Sequence, residues 1–493
     1  LTVLELFILQ ERNTRRNSVN NCFIIFGPNL MKFIYYILRY LQTIMSNTKP
    51  SIPKGMRDFT SEVMFRRNYI FETVKSAFEC YGYAPIETPA MENVKTLTGK
   101  YGDEGDRLIF KVLNSGDYLS KANLDENTDS KSLTKQIVEK ALRFDLTVPF
   151  ARFVVQNRND ITFPFKRYQM QNVWRADRPQ KGRYREFYQC DADVIGTESL
   201  LCEVELVQLY DDVFTKLNIP NVDICINNRK VLSGMVELMG ATDLFDQIVI
   251  ALDKLDKIGI DKVKEEMESK GVKKEALSIL DTFLNTKNVR DLFSLLENSS
   301  IGKKGLEELQ FVIDNVTELG LQSANLVFDI TLARGLNYYT GCILEVKAND
   351  VQIGSIGGGG RYDDLTSNFG LKDVSGVGVS FGIDRIYLVM EELALFPNNI
   401  DVSTKVMFAN FGDDEAAFCL PLLKQLRAAG ISSELYPTST KMKKQMTYAN
   451  NKGVQFVIMV GEDEMESGIL SIKNMESGEQ SNLNITDLIK KLS

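Results

Sequence analysis

Apolar positions along the chain recur at two spacings, and the switches between them divide it into segments. Over residues 59–80 they return every three or four positions, which predicts a helix stopped by Tyr81-Gly82-Tyr83. Residues 85–89 predict a short extended segment. Residues 111–140 are mostly polar, with Asn114-Ser115-Gly116-Asp117 early in the run, and predict a surface loop. Strand-like runs separated by turns are predicted over 143–153, 165–175 and 187–195, then a helix over 203–217. Charge-laced amphipathic helices follow at 248–258, 262–270 and 306–319. Residues 232–325 therefore read as a helical insertion between two halves of a sheet. Strand signals return over 326–346 and 351–360, and 377–390 turns helical. Beyond a linker at 395–404 the pattern is strand 406–411, helix 413–429, strand 433–436, a basic helix from Lys441 and strand 454–460. That β-α-β-α-β rhythm predicts a small doubly wound domain.

The start of the chain reads differently. Residues 23–44 are apolar-rich, but Pro28, Asn29, Lys32 and Arg39 interrupt them. A membrane-spanning helix needs about 20 apolar residues with few charges. No small-residue cleavage site follows, as a secretory signal would require. The expectation is that residues 1–44 are a non-native or disordered extension and that Met45 is the start; an intact mass beginning ahead of Met45 would overturn it.

Composition changes the picture mainly through one number. The 493 residues include no histidine. Ser-His-Asp and Cys-His nucleophiles, His-ligated zinc and imidazole proton shuttles are thereby excluded. Acid–base and electrophilic work falls to carboxylates, Arg, Lys, Tyr or the substrate itself. With 58 Lys+Arg against 66 Asp+Glu the net charge is −8, which argues against indiscriminate coating of nucleic acid but permits a local basic site. Seven scattered cysteines form no C-x-x-C pair, which suggests a reducing, cytoplasmic setting.

Four segments could carry chemistry. Residues 173–187 place Arg175, Arg178, Lys181, Arg183 and Arg185 around a Pro/Gly turn between two predicted strands. Such a hairpin can aim guanidinium forks at a polyphosphate; it is equally a solvated basic loop. Gly357-Gly358-Gly359-Gly360-Arg361-Tyr362-Asp363 lacks both the Walker and the dinucleotide fingerprints. It allows close backbone approach to a ligand, or simply makes a turn. Residues 332–341 set Arg334 between small residues and follow it with Tyr338 and Tyr339. They read either as a cation facing an aromatic-walled cavity or as half-buried strand tyrosines. Residues 376–385 run small residues into a helix with Arg385 in its first turn, placed to stack on a base, to meet a phosphate, or merely to pair at a packed junction.

In this order the segments resemble the histidyl-tRNA synthetases, a family of class II aminoacyl-tRNA synthetases, from about Ile52 onward. Pro53-Lys54-Gly55-Met56-Arg57-Asp58-Phe59 is similar to the family's opening, Glu87-Thr88-Pro89 to class motif 1, residues 173–193 to motif 2 and 376–385 to motif 3. Arg334 to Tyr339 is similar to the histidine-specific signature, although Asn337 stands where the family usually has Asp. Asp145 is likewise a longer Glu in many relatives.

The resemblance implies an α+β catalytic domain, an antiparallel sheet flanked by helices, with a helical insertion and a C-terminal α/β anticodon-binding domain. The expected boundaries are 45–231 and 326–395 for the two catalytic parts, 232–325 for the insertion and 405–493 for the anticodon domain. The implied reaction ligates L-histidine to tRNA(His) through histidyl-adenylate, with ATP and Mg2+ as cofactors and no zinc, haem, nicotinamide, flavin or protein-held metal. By motif match, Arg334 and Arg175 are catalytic. Arg175, Asp177, Arg183, Phe187 and Arg385 bind ATP. Asp145, Thr147, Gln189, Asp193, Arg334, Tyr338, Tyr339 and Tyr362 bind histidine. Lys441, Lys443 and Lys444 are the candidate tRNA contacts, and a homodimer through the motif 1 region, with no membrane association, is expected. The competing reading is a non-catalytic regulatory subunit of ATP phosphoribosyltransferase, which typically lacks the C-terminal domain and erodes the ATP-binding arginines.

Overall fold

The structure, a computed structural model, describes residues 49–492 apart from 121, 126, 127, 287, 334–337, 399 and 401–403. The readings on residues 1–44, Arg334 and Asn337 therefore lie outside the described residues. The account below concerns the compact unit Lys54–Ser493.

Helix α1 (Ser61–Cys80) begins where the Thr60 hydroxyl accepts from Val63 N, and it ends at Gly82, whose φ of +78° suits glycine. Strand β1 (Ala84–Pro85) follows. A small three-stranded sheet then forms from β2 (Met91–Asn93), β3 (Lys111–Val112) and β4 (Lys140–Leu142), in the order β2-β4-β3. The polar stretch 111–140 is thus not only a loop: it contributes β3 and a helix, Ser130–Ile137, begun by Asp129 accepting from Ser132 N.

Residues 143–153 are not a strand. Helix α2 (Thr147–Gln156) starts after Asp145 accepts from Val148 N at 3.1 Å. Its Val148 and Ala151 face one apolar cluster, its Phe150 and Val154 another. Its polar side is little more than Arg152 and Gln156, hydrogen-bonded one turn apart, a stripe too narrow to stand out in so short and apolar a run.

Strands β5 (Phe165–Trp174) and β6 (Glu186–Ile195) form the long hairpin expected around the basic cluster. Helix α3 (Leu201–Lys216), β7 (Val222–Asn228) and α4 (Arg229–Leu238) lead into the helical region. There the helix expected at 248–258 is broken into Phe245–Leu252 and Leu255–Ile258. Ile260–Ser269 and α5 (Ser300–Leu319) match their predicted positions.

Strands β8 (Asn325–Phe328) and β9 (Cys342–Ala348) bracket the segment carrying Tyr338 and Tyr339, so those tyrosines sit in a connection, not a strand. Strand β10 (Gly357–Tyr362) is the glycine string itself. Strand β11 (Gly376–Phe381) occupies the first part of the stretch expected to be helical, and α6 (Ile383–Glu392) begins only after it. The residues of β11 alternate, sending Val377, Val379 and Phe381 into the core, a period of two that its glycines and Ser380 on the other face disguise.

The main sheet has eight strands in the order β1-β5-β6-β11-β10-β9-β7-β8, antiparallel between β5 and β7 along that order and parallel at both outer pairs. Helices α1, α3 and α6 share one apolar cluster with Cys190, Ala192 and Val194 of β6. Alternation along β6 therefore sends Phe187, Gln189, Asp191 and Asp193 to the opposite face.

The C-terminal region is a second sheet, ordered β13-β12-β14-β15-β16: β12 (Val406–Phe408), β13 (Ser433–Leu435) and β14 (Phe456–Met459) are parallel, while β15 (Leu470–Asn474) and β16 (Gln480–Leu483) run antiparallel. Helices α7 (Asp413–Ala428) and α9 (Ile485–Leu492) cover one face with Val406, Phe408 and Ile458. Helix α8 (Met442–Asn451) lies on the other face with Met407, Ala409 and Val457. The doubly wound core is as the sequence predicts; β15, β16 and α9 extend it.

Candidate active site

Register assembles the site. In successive rows across the sheet, Gln169, Asp191 and Ser380 are neighbours, and so are Arg167, Asp193 and Gly378. Each row thus joins β5, β6 and β11 on the face away from α1 and α3.

The glycines make this face concave. A Cβ at Gly378 would lie 2.0 Å from Asp193 Oδ1, one at Gly376 would lie 2.4 Å from the Tyr362 ring, and one at Gly360 would lie 3.0 Å from the Tyr339 ring. Side chains from neighbouring elements fold into the space that β10 and β11 leave empty. This is the close approach that the glycine string allowed, and the thing approaching is the protein's own site.

Three carboxylates line the wall, each at most 2% exposed: Asp145, Asp191 and Asp193. Tyr101 donates to Asp145 Oδ1 at 2.8 Å and Tyr338 donates to Oδ2 at 3.2 Å. Tyr362 donates to Asp193 Oδ1 at 2.7 Å. The fully buried Arg167 stacks on the Phe150 ring and brings Nη2 within 2.7 Å of Asp193 Oδ2. That contact is an ion pair without hydrogen-bonding geometry, so Asp193 Oδ2 is a buried acceptor with no hydrogen bond.

Burial raises the pKa of Asp145, against the hydrogen bond from Tyr101 and the charge of Arg175. Burial likewise pushes Asp191 up to about 7, with Arg167 opposing and Asp193 adding to the rise. Asp193 is raised by burial and held back by Arg167. Tyr101, Tyr338 and Tyr362 are pushed well above the ordinary phenol value by burial and neighbouring carboxylates, so they remain donors.

Beside this polar floor lies the basic hairpin. Arg175 donates through Nε to Phe144 O at 2.9 Å and through Nη2 to Gln189 Oε1 at 3.4 Å, its guanidinium between the Phe144 and Phe187 rings. Arg183 pairs with Asp177 at 2.7 Å, its own side chain half exposed. Arg385 reaches across from α6, donating to Gly182 O at 3.0 Å and Ser355 O at 2.7 Å, and so ties the tip of the hairpin to the segment before β10. The opening segment clamps the hairpin's other edge: Arg185 N donates to Gly55 O, and Arg57 stacks on Tyr184 while pairing with Asp384.

Known families cover both parts of the chain. A family model described as histidyl-tRNA synthetase matches residues 134–386, and one described as anticodon binding domain matches 405–493. A histidine–tRNA ligase of Christiangramia forsetii is 58% identical over 448 residues, covering 89% of this chain and 98% of its own. The chain belongs to the histidyl-tRNA synthetase family. Among solved structures, a histidyl-tRNA synthetase from Nostoc is 30% identical with a TM-score of 0.76, covering 90% of this chain and 99% of its own. A Bacillus halodurans protein described as an ATP phosphoribosyltransferase regulatory subunit/histidyl-tRNA synthetase shares the fold at 21% identity, TM-score 0.66, over 84% of this chain and 99% of its own.

Of the residues that the family motifs single out, Asp145, Thr147, Arg175, Gln189, Asp193, Tyr338, Tyr339 and Tyr362 come together on or beside this face, with Tyr338 hydrogen-bonded to Asp145. Asp177, Arg183 and Arg385 gather at the hairpin, continuous with them through Arg175. Lys441, Lys443 and Lys444 are exposed around the start of α8, in the C-terminal sheet's own helical layer. Sequence reasoning missed Tyr101, Arg167, Asp191 and Ser380. Asp191 was findable, because it lies midway between Gln189 and Asp193 on an alternating strand. Arg167 and Tyr101 carry no local signal: one is brought in by strand register, the other by a short helical segment packed beside α2.

Proposed function

We propose that this chain ligates L-histidine to tRNA(His) in two steps, activation by ATP to histidyl-adenylate and then transfer to the tRNA's terminal ribose. Family membership supports this, and so does one feature of the site. Two buried acceptor stations lie on the same face: Asp145 with Gln189 Oε1 suits an α-ammonium, and Asp193 Oδ2 suits an imidazole N–H. Tyr338, Tyr339 and Tyr362 wall that face with edge-to-face rings, which suits a flat heteroaromatic ring. A site built on buried donors and acceptors rejects analogues lacking the imidazole nitrogens by about 10⁴-fold or more.

The activation step suits a histidine-free protein. The substrate carboxylate is the nucleophile, so alignment and charge neutralisation suffice and no protein general base is needed. In the reading by motif match, Arg175 neutralises the α-phosphate, and Asp177, Arg183, Phe187 and Arg385 hold ATP, with Phe187 and Arg385 stacking on adenine. Arg334 supplies positive charge opposite the α-phosphate. A variant Arg334→Ala is expected to lose pyrophosphate exchange while still binding histidine by calorimetry; near-normal exchange would refute its role. Mg2+ would enter on ATP's own phosphates and supply charge neutralisation there.

Residues 405–493 would read the anticodon. The homodimer would form around motif 1, where half-exposed Met91 lines an open cleft of about 250 Å³ with Pro89, Lys140 and Arg152. The six described cysteines are free, which supports a reducing compartment, and no helix among the described residues is long and apolar enough to cross a membrane. The regulatory-subunit reading is less supported: Arg175, Arg183 and Arg385 are retained, and 405–493 match an anticodon-binding model. Histidine-dependent ATP–pyrophosphate exchange with no other amino acid active tests the proposal. Exchange with another amino acid, or none with histidine, would overturn it.

A further inference from the structure

Asp191 has no part in the roles described so far, yet it lies between two residues that do. It is 2% exposed, sits two positions from both Gln189 and Asp193 on β6, and shares its row with Gln169 and Ser380. The Gln189 amide nitrogen donates to Asp191 Oδ1 at 3.3 Å and to Ser380 Oγ at 3.2 Å. Ser380 faces Asp191 across the β6–β11 register. Both amide hydrogens of Gln189 are thereby spent on the floor of the site. Its oxygen is left on the opposite side, toward Arg175 Nη2 at 3.4 Å.

An amide can turn over, exchanging two donors for one acceptor at little steric cost. A carboxylate can only accept. With an ionised Asp191 beneath it, Gln189 must point its nitrogen down and its oxygen out. Turned over, it would set its oxygen against the Asp191 carboxylate and aim N–H donors at Arg175 and at any bound ammonium, both cationic. Ser380 alone could not enforce this, because a hydroxyl can donate as readily as accept.

We propose that Asp191 is a positioning residue for amino-acid binding: it fixes the Gln189 amide so that its oxygen receives the substrate α-ammonium. This rests on reading Gln189 as an ammonium acceptor and adds the group that orients it.

The test uses the full chain at pH 8, where the Asp191 carboxyl is ionised, and follows histidine-dependent ATP–pyrophosphate exchange at varied histidine and varied ATP. Asp191→Asn keeps the shape but lets the amide beneath Gln189 donate or accept. Its KM for histidine should rise about 10- to 30-fold, as expected for a hydrogen bond to a charged group. Its KM for ATP and its kcat should stay within about twofold of the parent, a split that a general loss of structure would not give. In a Gln189→Ala background, Asp191→Asn should raise the histidine KM by less than about twofold, because the group it orients is gone. Asp191→Ala, which removes the carboxylate outright, should raise it at least as far and keeps the idea testable should Asp191→Asn fold poorly. An unchanged histidine KM in Asp191→Asn, or in Asp191→Ala where the first cannot be purified, overturns the proposal, as does full additivity with Gln189→Ala. If Gln189→Ala alone leaves the histidine KM unchanged, it is the underlying assignment of Gln189 that fails.

Discussion

Gly378 faces Asp193 across the β6–β11 register, and the 2.0 Å that an added Cβ would leave to Oδ1 cannot be relieved without moving the carboxylate. Gly378→Ala should turn Asp193 away from Tyr362 and Arg167, leaving a buried charge poorly paired. The histidine KM should rise at least about tenfold and stability should fall by about 2–4 kcal/mol. Exchange kinetics and urea unfolding check both; parent-like values would mean that the wall yields.

Asp191 carries a residue-scale prediction for pH. Facing it are Gln189 and Asp193 from β6, Arg167 from β5, Ser380 from β11 and Asp145 ahead of α2, and its pKa stands near 7 against an ordinary 3.8. The folded protein therefore keeps a proton that the unfolded chain has released. Stability from this group is full below about pH 4 and declines as pH rises through 7. The unliganded enzyme should melt lower at pH 8 than at pH 5.5. Asp191→Asn should flatten that difference, and a slope equal to the parent's would count against the assignment.

At the scale of elements, one buried ion pair fastens helix to sheet beneath the site. Arg361 of β10 meets Glu203 of α3 with Nε and Nη2 at 2.5 and 2.6 Å, and its remaining donors go to Ser375 Oγ, Thr197 O and Ser199 O. Ser375 then donates to Asp363, which also accepts from Thr340 just beyond the two site tyrosines. This chain of bonds leads from α3 to the segment that carries Tyr338 and Tyr339. Glu203→Ala would strand a buried guanidinium, and urea unfolding should show a loss of about 3–5 kcal/mol. A loss below about 1 kcal/mol would mean that water or a neighbour replaces the carboxylate.

The element scale is also where sequence reading was uneven. Helix α1, the β5–β6 hairpin and α3 are legible because one face of each is apolar and the other is not. Helix α2 and strand β11 are not, because the polar side of α2 is little more than Arg152 and Gln156 and the glycines of β11 erase its alternation on the site face. Segments whose own side chains make room for others lose the pattern by which they would be recognised.

For the whole molecule, an acidic body must still meet an RNA. Lys441, Lys443 and Lys444 stand exposed around the start of α8, and among the described residues none of them is in an ion pair. Replacing all three with Glu should weaken tRNA binding and lower the slope of log affinity against log salt by about 2, while adenylation is unaffected. Filter binding across a salt series measures it; an unchanged slope would dismiss these lysines.

The histidine count, the order of the motifs and the spacing of Gln189 and Asp193 along one strand were all readable without coordinates, because each is local or a property of composition. From them followed the class of chemistry, one run by arginines, carboxylates and the substrate's own groups. The tertiary structure decided which groups share a wall. Arg167, Tyr101 and Ser380 reach Asp193, Asp145 and Gln189 through strand register, helix packing and the space that glycines vacate. Those relations join residues tens to hundreds of positions apart, and no local pattern encodes them.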